Sequence, residues 1–392
     1  MGTPPTSPRR PDQRVRTRRS LTRRSGHTAD FWHPAGLTWA ELDRETQAFG
    51  LATTGGQCST TGVAGVTLGG GLGWLMRRRG LTVDNLLSVD VVTADGRLLT
   101  ASEHENPELF WGLRGGGGNF GIVTELELRL HPVDQVVAGL LIHPGDRLAD
   151  VLAFYREFAA TEPDSITSTV IFLTAPPMPE LPESLHGAPA VAIGVCFSGP
   201  PEEADDALRP LREFGPPAAD MIAPMPYLAL QSMFDGMPAG DYGYHQSIRT
   251  GYLPELGDEA IATLTRHADA AVSPQCLIEL IHLEGAIGHV AEGGTAFPSR
   301  DARFFCMFQS TWNDPGNAAS HTGWTRDGWD AIRPFSDGRT HPGFLDADEP
   351  ASRVADAYGE QKMARLAALK RELDPTNLFH LNKNIHPQTT TD

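Results

Sequence analysis

Cysteine is scarce and scattered. The residues at 58, 196, 276 and 306 show no CxxC or other ligand spacing, so no metal site is expected. Cys196, Cys276 and Cys306 lie in apolar, strand-like surroundings and read as buried thiols. Cys58 differs, because glycines surround it. This usage fits a reducing compartment, and a cytoplasmic location is expected. Long apolar runs are also missing: none approaches the roughly 18 residues that a membrane helix needs. Positive charge is short, with 32 Lys and Arg against 49 Asp and Glu and a net charge of −17. That balance disfavours a nucleic-acid partner. The exception is 1–35, where eight arginines face two aspartates. This stretch is rich in Pro, Ser and Thr, has no apolar period, and is expected to be a disordered basic tail. No hydrophobic segment follows Arg18-Arg19, so an export signal is rejected.

What is present is enough core for two domains: 392 residues, 40% hydrophobic. One stretch stands out. Between Gly55 and Gly73, eight of nineteen residues are glycine, with hydroxyls at Ser59, Thr60, Thr61 and Thr67. Such a loop lets a ligand or another backbone approach closely, and its N–H groups can form a concavity for an anion. Tight packing with no ligand is the plainer reading. Upstream, 37–50 reads as a helix. Downstream, 89–99 reads as a hairpin turning on Asp95-Gly96 as type I′. Asn106-Pro107 starts a short helix, with Asn106 as cap. Gly116, Gly118 and Gly121 match GxGxxG. A helix precedes them, and the alternating Ile122, Thr124, Leu126, Leu128 and Leu130 follow as a strand, so the Rossmann context fails. Beyond Pro132, strands and helices at 136–142, 146–160, 168–173, 190–197 and 202–214 suggest an antiparallel sheet covered on one face by helices. A last helix spans 351–373.

Three blocks carry a resemblance. They are Cys-Ser-Thr-Thr-Gly-Val-Ala-Gly-Val-Thr-Leu-Gly-Gly-Gly-Leu-Gly-Trp at 58–74, Gly-Gly-Gly-Gly-Asn-Phe-Gly-Ile-Val-Thr at 115–124, and Asp-Pro-Thr-Asn-Leu-Phe-His-Leu-Asn-Lys-Asn-Ile-His-Pro at 374–387. Together they resemble the berberine-bridge-enzyme-like flavin oxidases of the vanillyl-alcohol-oxidase, or PCMH-type, FAD-binding fold. The match is close over 37–133 and 351–387 and loose over 134–340. It implies an α+β chain: a PCMH-type FAD-binding domain at 36–133, truncated at its N-terminus, a substrate domain at 134–340, and a segment at 341–392 that returns to the FAD domain. Family members carry a further lobe ahead of the helix matched at Leu37, with an Arg-Gly-Gly-Gly-His-type loop. Nothing in 1–36 resembles it, and the chain is expected to lack that lobe.

The implied cofactor is FAD. The implied cofactor-binding residues are Cys58, Ser59, Thr60, Thr61, Gly62, Gly65, Gly69, Gly70, Gly71, Gly73 and Trp74, with Asn85, Gly118, Asn119, Gly121, Val123 and Asn384; Asn382 belongs to the same terminal motif. Cys58 stands where some members bond a cysteine sulfur to the flavin; an unlinked thiol beside the ring is the other reading. The implied reaction takes a hydride from a C–H next to oxygen or nitrogen of a small alcohol, sugar, alkaloid or secondary metabolite and passes electrons to O2. A truncated, non-catalytic chain without FAD is the alternative. A base is needed for the O–H or N–H proton. Counting back from Trp312, the family's acidic or amide position falls on Met307, which cannot take a proton. The family's Tyr-x-Asn place reads His341-Pro342-Gly343-Phe344. Glu279 and His282 on the strand 277–283, with Tyr244 or His245, are the remaining candidates. The expected partners are a small-molecule substrate and O2, with no nucleic acid and no membrane.

Overall fold

In a computed structural model, the structure describes residues 20–23, 29–236, 243–346, 349–350, 352–381 and 383–387. Most of the basic tail and Asn382 therefore lie outside the described residues. Fourteen strands among the described residues form two antiparallel sheets. The first has the order β1 (Ser20–Arg23), β2 (Ala29–Pro34), β6 (Ile122–Pro132), β4 (Leu86–Val92), β5 (Leu98–Ser102), with β3 (Leu51–Ala52) also on β6. The second has the order β10 (Ala219–Asp220), β7 (Gln135–Pro144), β9 (Pro189–Phe197), β8 (Ile166–Thr174), β13 (Cys276–His282), β14 (Phe304–Trp312), β12 (His245–Leu253), with β11 (Ala223–Pro226) on β7.

Alternation decides the faces. In β6, Leu126, Leu128 and Leu130 are buried between the more exposed Glu125, Glu127 and Arg129. In the second sheet, Ile278, Leu280, Phe304, Cys306 and Phe308 face a core built with the helices Leu148–Ala159, Ala204–Glu213, Asp258–Ala268 and Ala318–Ile332. The opposite parity, Leu277, Ile281, Phe305 and Met307, packs against Leu72, Met76, Leu81 and Val83 beside the glycine stretch. One face of this sheet is thus closed by helices, and the other is turned toward the first domain.

Phe297 fastens the two halves. A Cβ at Gly70 would overlap its ring, and one at Gly115 would overlap its backbone, both at positive φ (+121 and +122). Its N–H donates to the Arg114 carbonyl (2.9 Å), and its own carbonyl accepts from Lys362 Nζ (2.6 Å). Arg300 adds a two-pronged pair to Asp84 (2.6 and 3.0 Å). The helix Ser352–Leu373 packs Tyr358, Leu366, Leu369 and Leu373 into the core of the first sheet. No helix among the described residues is long and apolar enough to cross a membrane.

Several sequence expectations are corrected. Residues 20–23 and 29–34 are not disordered tail: they form β1 and β2, with β2 beside β6 and Ala29 and Phe31 buried, because these apolar side chains complete the core of the first sheet. The 93–96 turn is not type I′. Gly96 N–H donates to the Thr93 carbonyl, and only Gly96 takes positive φ (+82), as in a type I turn closed by a left-handed glycine. Pro107 opens its helix, but Asn106 sits at φ +46 and donates its amide to the Thr100 carbonyl instead of capping. The last helix is interrupted at Gly359 (φ +71).

Phe297→Ala leaves a cavity where both glycine blocks meet the second domain. Urea denaturation should show a loss of about 3–5 kcal/mol; a loss below about 1 kcal/mol would mean that Phe297 is not the fastener.

Candidate active site

The glycine stretch divides into two kinds of position. A Cβ at Gly71 would overlap Thr82, and one at Gly73 would overlap the Gly55 carbonyl, so these glycines and Gly70 serve close chain approach. Gly62 and Gly65 differ: a Cβ at either would meet no protein atom within 4 Å, and one at Gly69 would meet only Gly343 Cα. The three lie at i, i+3 and i+7 on the short helix Val63–Gly69 and its preceding residue, which gives that helix a face without side chains. Thr60 and Thr61 are exposed beside it, and Thr61 Oγ1 donates to the Cys58 carbonyl (2.8 Å). The Leu68 carbonyl accepts from both Gly115 and Gly117 N–H (3.1 Å each), which joins the first glycine block to the second. Gly118 is half-buried there.

Opposite this loop stands the second sheet. Glu279 shares its face with Leu277 and Ile281 and pairs across the strand with Met307. It is 6% exposed, and its Oε1 accepts from Thr169 Oγ1 (3.0 Å). Burial pushes its pKa from an ordinary 4.5 up to about 7, against the opposing pull of Thr169. Cys58 is half-buried, and its pKa rises to about 11, first through burial and then through the charges of Glu279 and Asp235. The charge of Glu279 thus reaches the loop thiol. Asp235, from the second domain, accepts from both the N–H (3.0 Å) and the hydroxyl (2.6 Å) of Ser59.

A model described as an FAD binding domain matches residues 24–102, and one described as berberine and berberine like matches residues 343–386. An FAD-linked oxidoreductase of Dictyostelium discoideum is 30% identical over 356 residues, 90% of this chain and 74% of that one. The chain belongs to the FAD-linked oxidoreductases. An FAD-linked oxidoreductase of Pyricularia oryzae is 31% identical over 374 residues, covering 88% of this chain and 69% of that one. Among solved structures, 6-hydroxy-D-nicotine oxidase from Arthrobacter nicotinovorans matches with a TM-score of 0.78 at 25% identity, covering 94% of this chain and 81% of that one. A berberine-bridge-enzyme-like protein from Physcomitrella patens shares the fold, with a TM-score of 0.80 at 21% identity and coverage of 95% and 80%.

The residues of this FAD-linked oxidoreductase fit its cofactor. The open glycine face of 62, 65 and 69 is a cradle that any Cβ would fill, and main-chain approach of this kind suits a phosphate-bearing ligand. Other implied cofactor residues turn inward. Asn85 donates to the Arg79 and Leu81 carbonyls (3.0 Å each), and its Oδ1 lies 2.7 Å from His131 Nε2. Asn119 donates to the Gly116 and Lys383 carbonyls (2.8 and 3.1 Å), while its Oδ1 accepts from Ile385 N–H (3.0 Å). It clasps the terminal segment, and Asn384 sits half-buried next to that clasp. Gly121 presses on Val91 and Val92, and Val123 is core. Trp74 is buried over Gly194 and Phe234.

The base candidates separate. His282 has the parity of Leu280 and so leaves the face that Glu279 occupies. Its Nδ1 lies 2.8 Å from Glu162 and its Nε2 2.7 Å from Glu284, inside a buried network with Arg77. Tyr244 is half-buried just before β12, and His245 stacks on Trp312. Tyr244 lies six residues from Thr250, the cross-strand partner of Met307, or about 20 Å along the strand. Asp235 and Thr169 escaped the sequence reading. Neither lies in a recognised block, and only the folded chain brings them to Ser59 and Glu279.

An acid whose folded pKa stands above its unfolded value adds stability while neutral, below the unfolded pKa, and that stability is lost as pH rises through the folded pKa. For Glu279 the window runs from about 4.5 to about 7. Glu279→Gln should match wild type in stability below that window and exceed it by about 3 kcal/mol above it. Urea denaturation between pH 4.5 and 8.5 reads the difference, and a pH-independent gap would show that Glu279 is ionised throughout.

Proposed function

We propose that the chain oxidises a small alcohol or amine, with Glu279 as the base that takes the O–H or N–H proton. The observation that carries this reading is the position of Glu279, buried on the sheet face opposite the Cys58 loop, where its raised pKa suits proton transfer near neutral pH. The carboxylate stands one strand over from Met307, at the same level of the sheet. FAD, when bound, supplies the two-electron chemistry, accepting a hydride from a C–H next to oxygen or nitrogen and passing electrons to O2. The chain's own part is to cradle the cofactor on Gly62, Gly65 and Gly69, hold Cys58 beside it, and receive the substrate proton at Glu279. Relatives bear names or titles that refer to 6-hydroxynicotine, reticuline and xylobiose.

Purified protein should be yellow and release hydrogen peroxide with a substrate; colourless protein from flavin-replete cells would overturn the reading. Glu279→Gln should keep its flavin and slow substrate-driven bleaching by about 10²–10⁴-fold. Undiminished bleaching would remove Glu279 from the role.

Cys58 is proposed to bond its sulfur to a flavin ring carbon: the S–H and ring C–H protons would be released, and the two electrons given up would pass to O2 and reduce it to hydrogen peroxide. Because its thiol is pushed up to about 11, attachment to added FAD should run faster at pH 9 than at pH 7. Acid precipitation followed by absorbance reads the retained flavin. Equal release of flavin from wild type and Cys58→Ala would refute the bond.

A further inference from the structure

The sheet face around Glu279 carries a second polar group that the proposed reaction leaves unused. Glu279, Met307 and Thr250 form one cross-strand row, and Leu277, Gln309 and Ile248 form the next. All share the face turned toward the glycine stretch, because Gln309 has the parity of Phe305 and Met307 and the opposite parity to Phe308. The neighbouring hydroxyls are engaged. Thr169 donates to Glu279, and Thr250 and Thr340 are bonded to each other (2.8 Å). Gln309 is not engaged. It is 6% exposed, yet its carboxamide makes no hydrogen bond among the described residues.

No atom of that carboxamide is among the fully buried, unpartnered side-chain atoms, so it meets open space on this face, where a ligand would find both a donor and an acceptor. Toward Glu279 the face is apolar: Met307 is buried, and Leu277, Ile248 and Phe344 are partly buried against the same cluster, while the next row on the other side is the polar pair Thr311 and Gln246. Gln309 is diagonal to Glu279, a relation that separates positions by about 7–8 Å. The amide thus stands one short molecule's length from the carboxylate, with thioether and hydrocarbon between.

We propose that Gln309 is a substrate-positioning residue, and that the substrate is a largely apolar alcohol or amine bearing one neutral hydrogen-bonding group about 7 Å from the carbon that is oxidised. This rests on the reading of Glu279 as base and narrows its substrate. A polyhydroxylated sugar would set hydroxyls against Met307, Leu277 and Ile248 without partners. A compact cation would find no formal charge at Gln309. An amide, ketone or phenol fits, because a carboxamide both donates and accepts.

The test compares two alcohols of nearly equal shape, 4-acetamidobenzyl alcohol and 4-isobutylbenzyl alcohol, with xylobiose as the polyol. Bleaching of the flavin in the purified holoprotein is followed anaerobically over a range of concentrations. Wild type should prefer the acetamide about tenfold, with the preference in the half-saturating concentration and not in the limiting rate. In Gln309→Met the preference should fall to within about twofold, and in Gln309→Asn it should be intermediate. Glu279→Gln should lower the limiting rate for both alcohols and leave the preference standing. Binding of the same pair is read separately, from the perturbed flavin spectrum or, in colourless protein, from the shift in Tm, so loss of turnover and loss of the subsite are distinct results. No preference in wild-type binding, a preference that survives in Gln309→Met, or tighter binding of xylobiose would overturn the proposal.

Discussion

The structure depends on backbone meeting backbone where no side chain intervenes. Gly73 lies against the Gly55 carbonyl, Gly70 and Gly115 lie against Phe297, and the Leu68 carbonyl gathers N–H groups from the second glycine block. A methyl group at any of the three glycines would force these segments apart. From that contact the rest follows. The loop is fixed at both ends, so the open positions 62, 65 and 69 form a continuous face, and Cys58 is held toward the second sheet. Tight packing thus accounts for Gly70, Gly71 and Gly73, while Gly62, Gly65 and Gly69 are left open.

The second sheet works as a partition with two chemistries. Its helix-covered side is hydrocarbon and holds the buried Arg77, Glu162 and His282 network at one end. Its other side mixes Glu279, Gln309 and Thr169 with Met307 and leucine. One strand, β13, serves both: His282 and Glu279 are three residues apart and point to opposite sides. Burial then sorts their roles. His282 has carboxylates at both ring nitrogens, whereas Glu279 has a single hydroxyl donor and a pKa near neutrality.

Much of the fold was legible from local pattern. The alternation through β6, the glycine blocks and the amphipathic helices each require only neighbours in sequence, and the three motif blocks carried the cofactor. Legibility ended where a residue's role depends on direction or on distant partners. Asn85 and Asn119 belong to motif blocks, but nothing in their type says whether the amide turns to a ligand or to the chain, and both turn to the chain. Glu279 and His282 were equal candidates until cross-strand register with Met307 fixed which of them faces the loop. Asp235 lies 176 residues from the Ser59 it binds, a relation no periodicity encodes. Residues 29–34 read as tail because their strand character appears only beside β6.

The clasp at Asn119 has a consequence for how the protein is made. That residue, early in the chain, is bonded to the backbone of Lys383 and Ile385, and Ile385 itself is wholly buried in the first core. The cofactor half is thus not an N-terminal unit that matures while the remainder is synthesised. Its last wall emerges from the ribosome more than 250 residues after its first, with the whole second sheet translated in between. Contacts of such separation form slowly, and until they form the glycine blocks stand open, with apolar surface uncovered and in reach of chaperones. Cofactor loading is then expected to be a late, post-translational event.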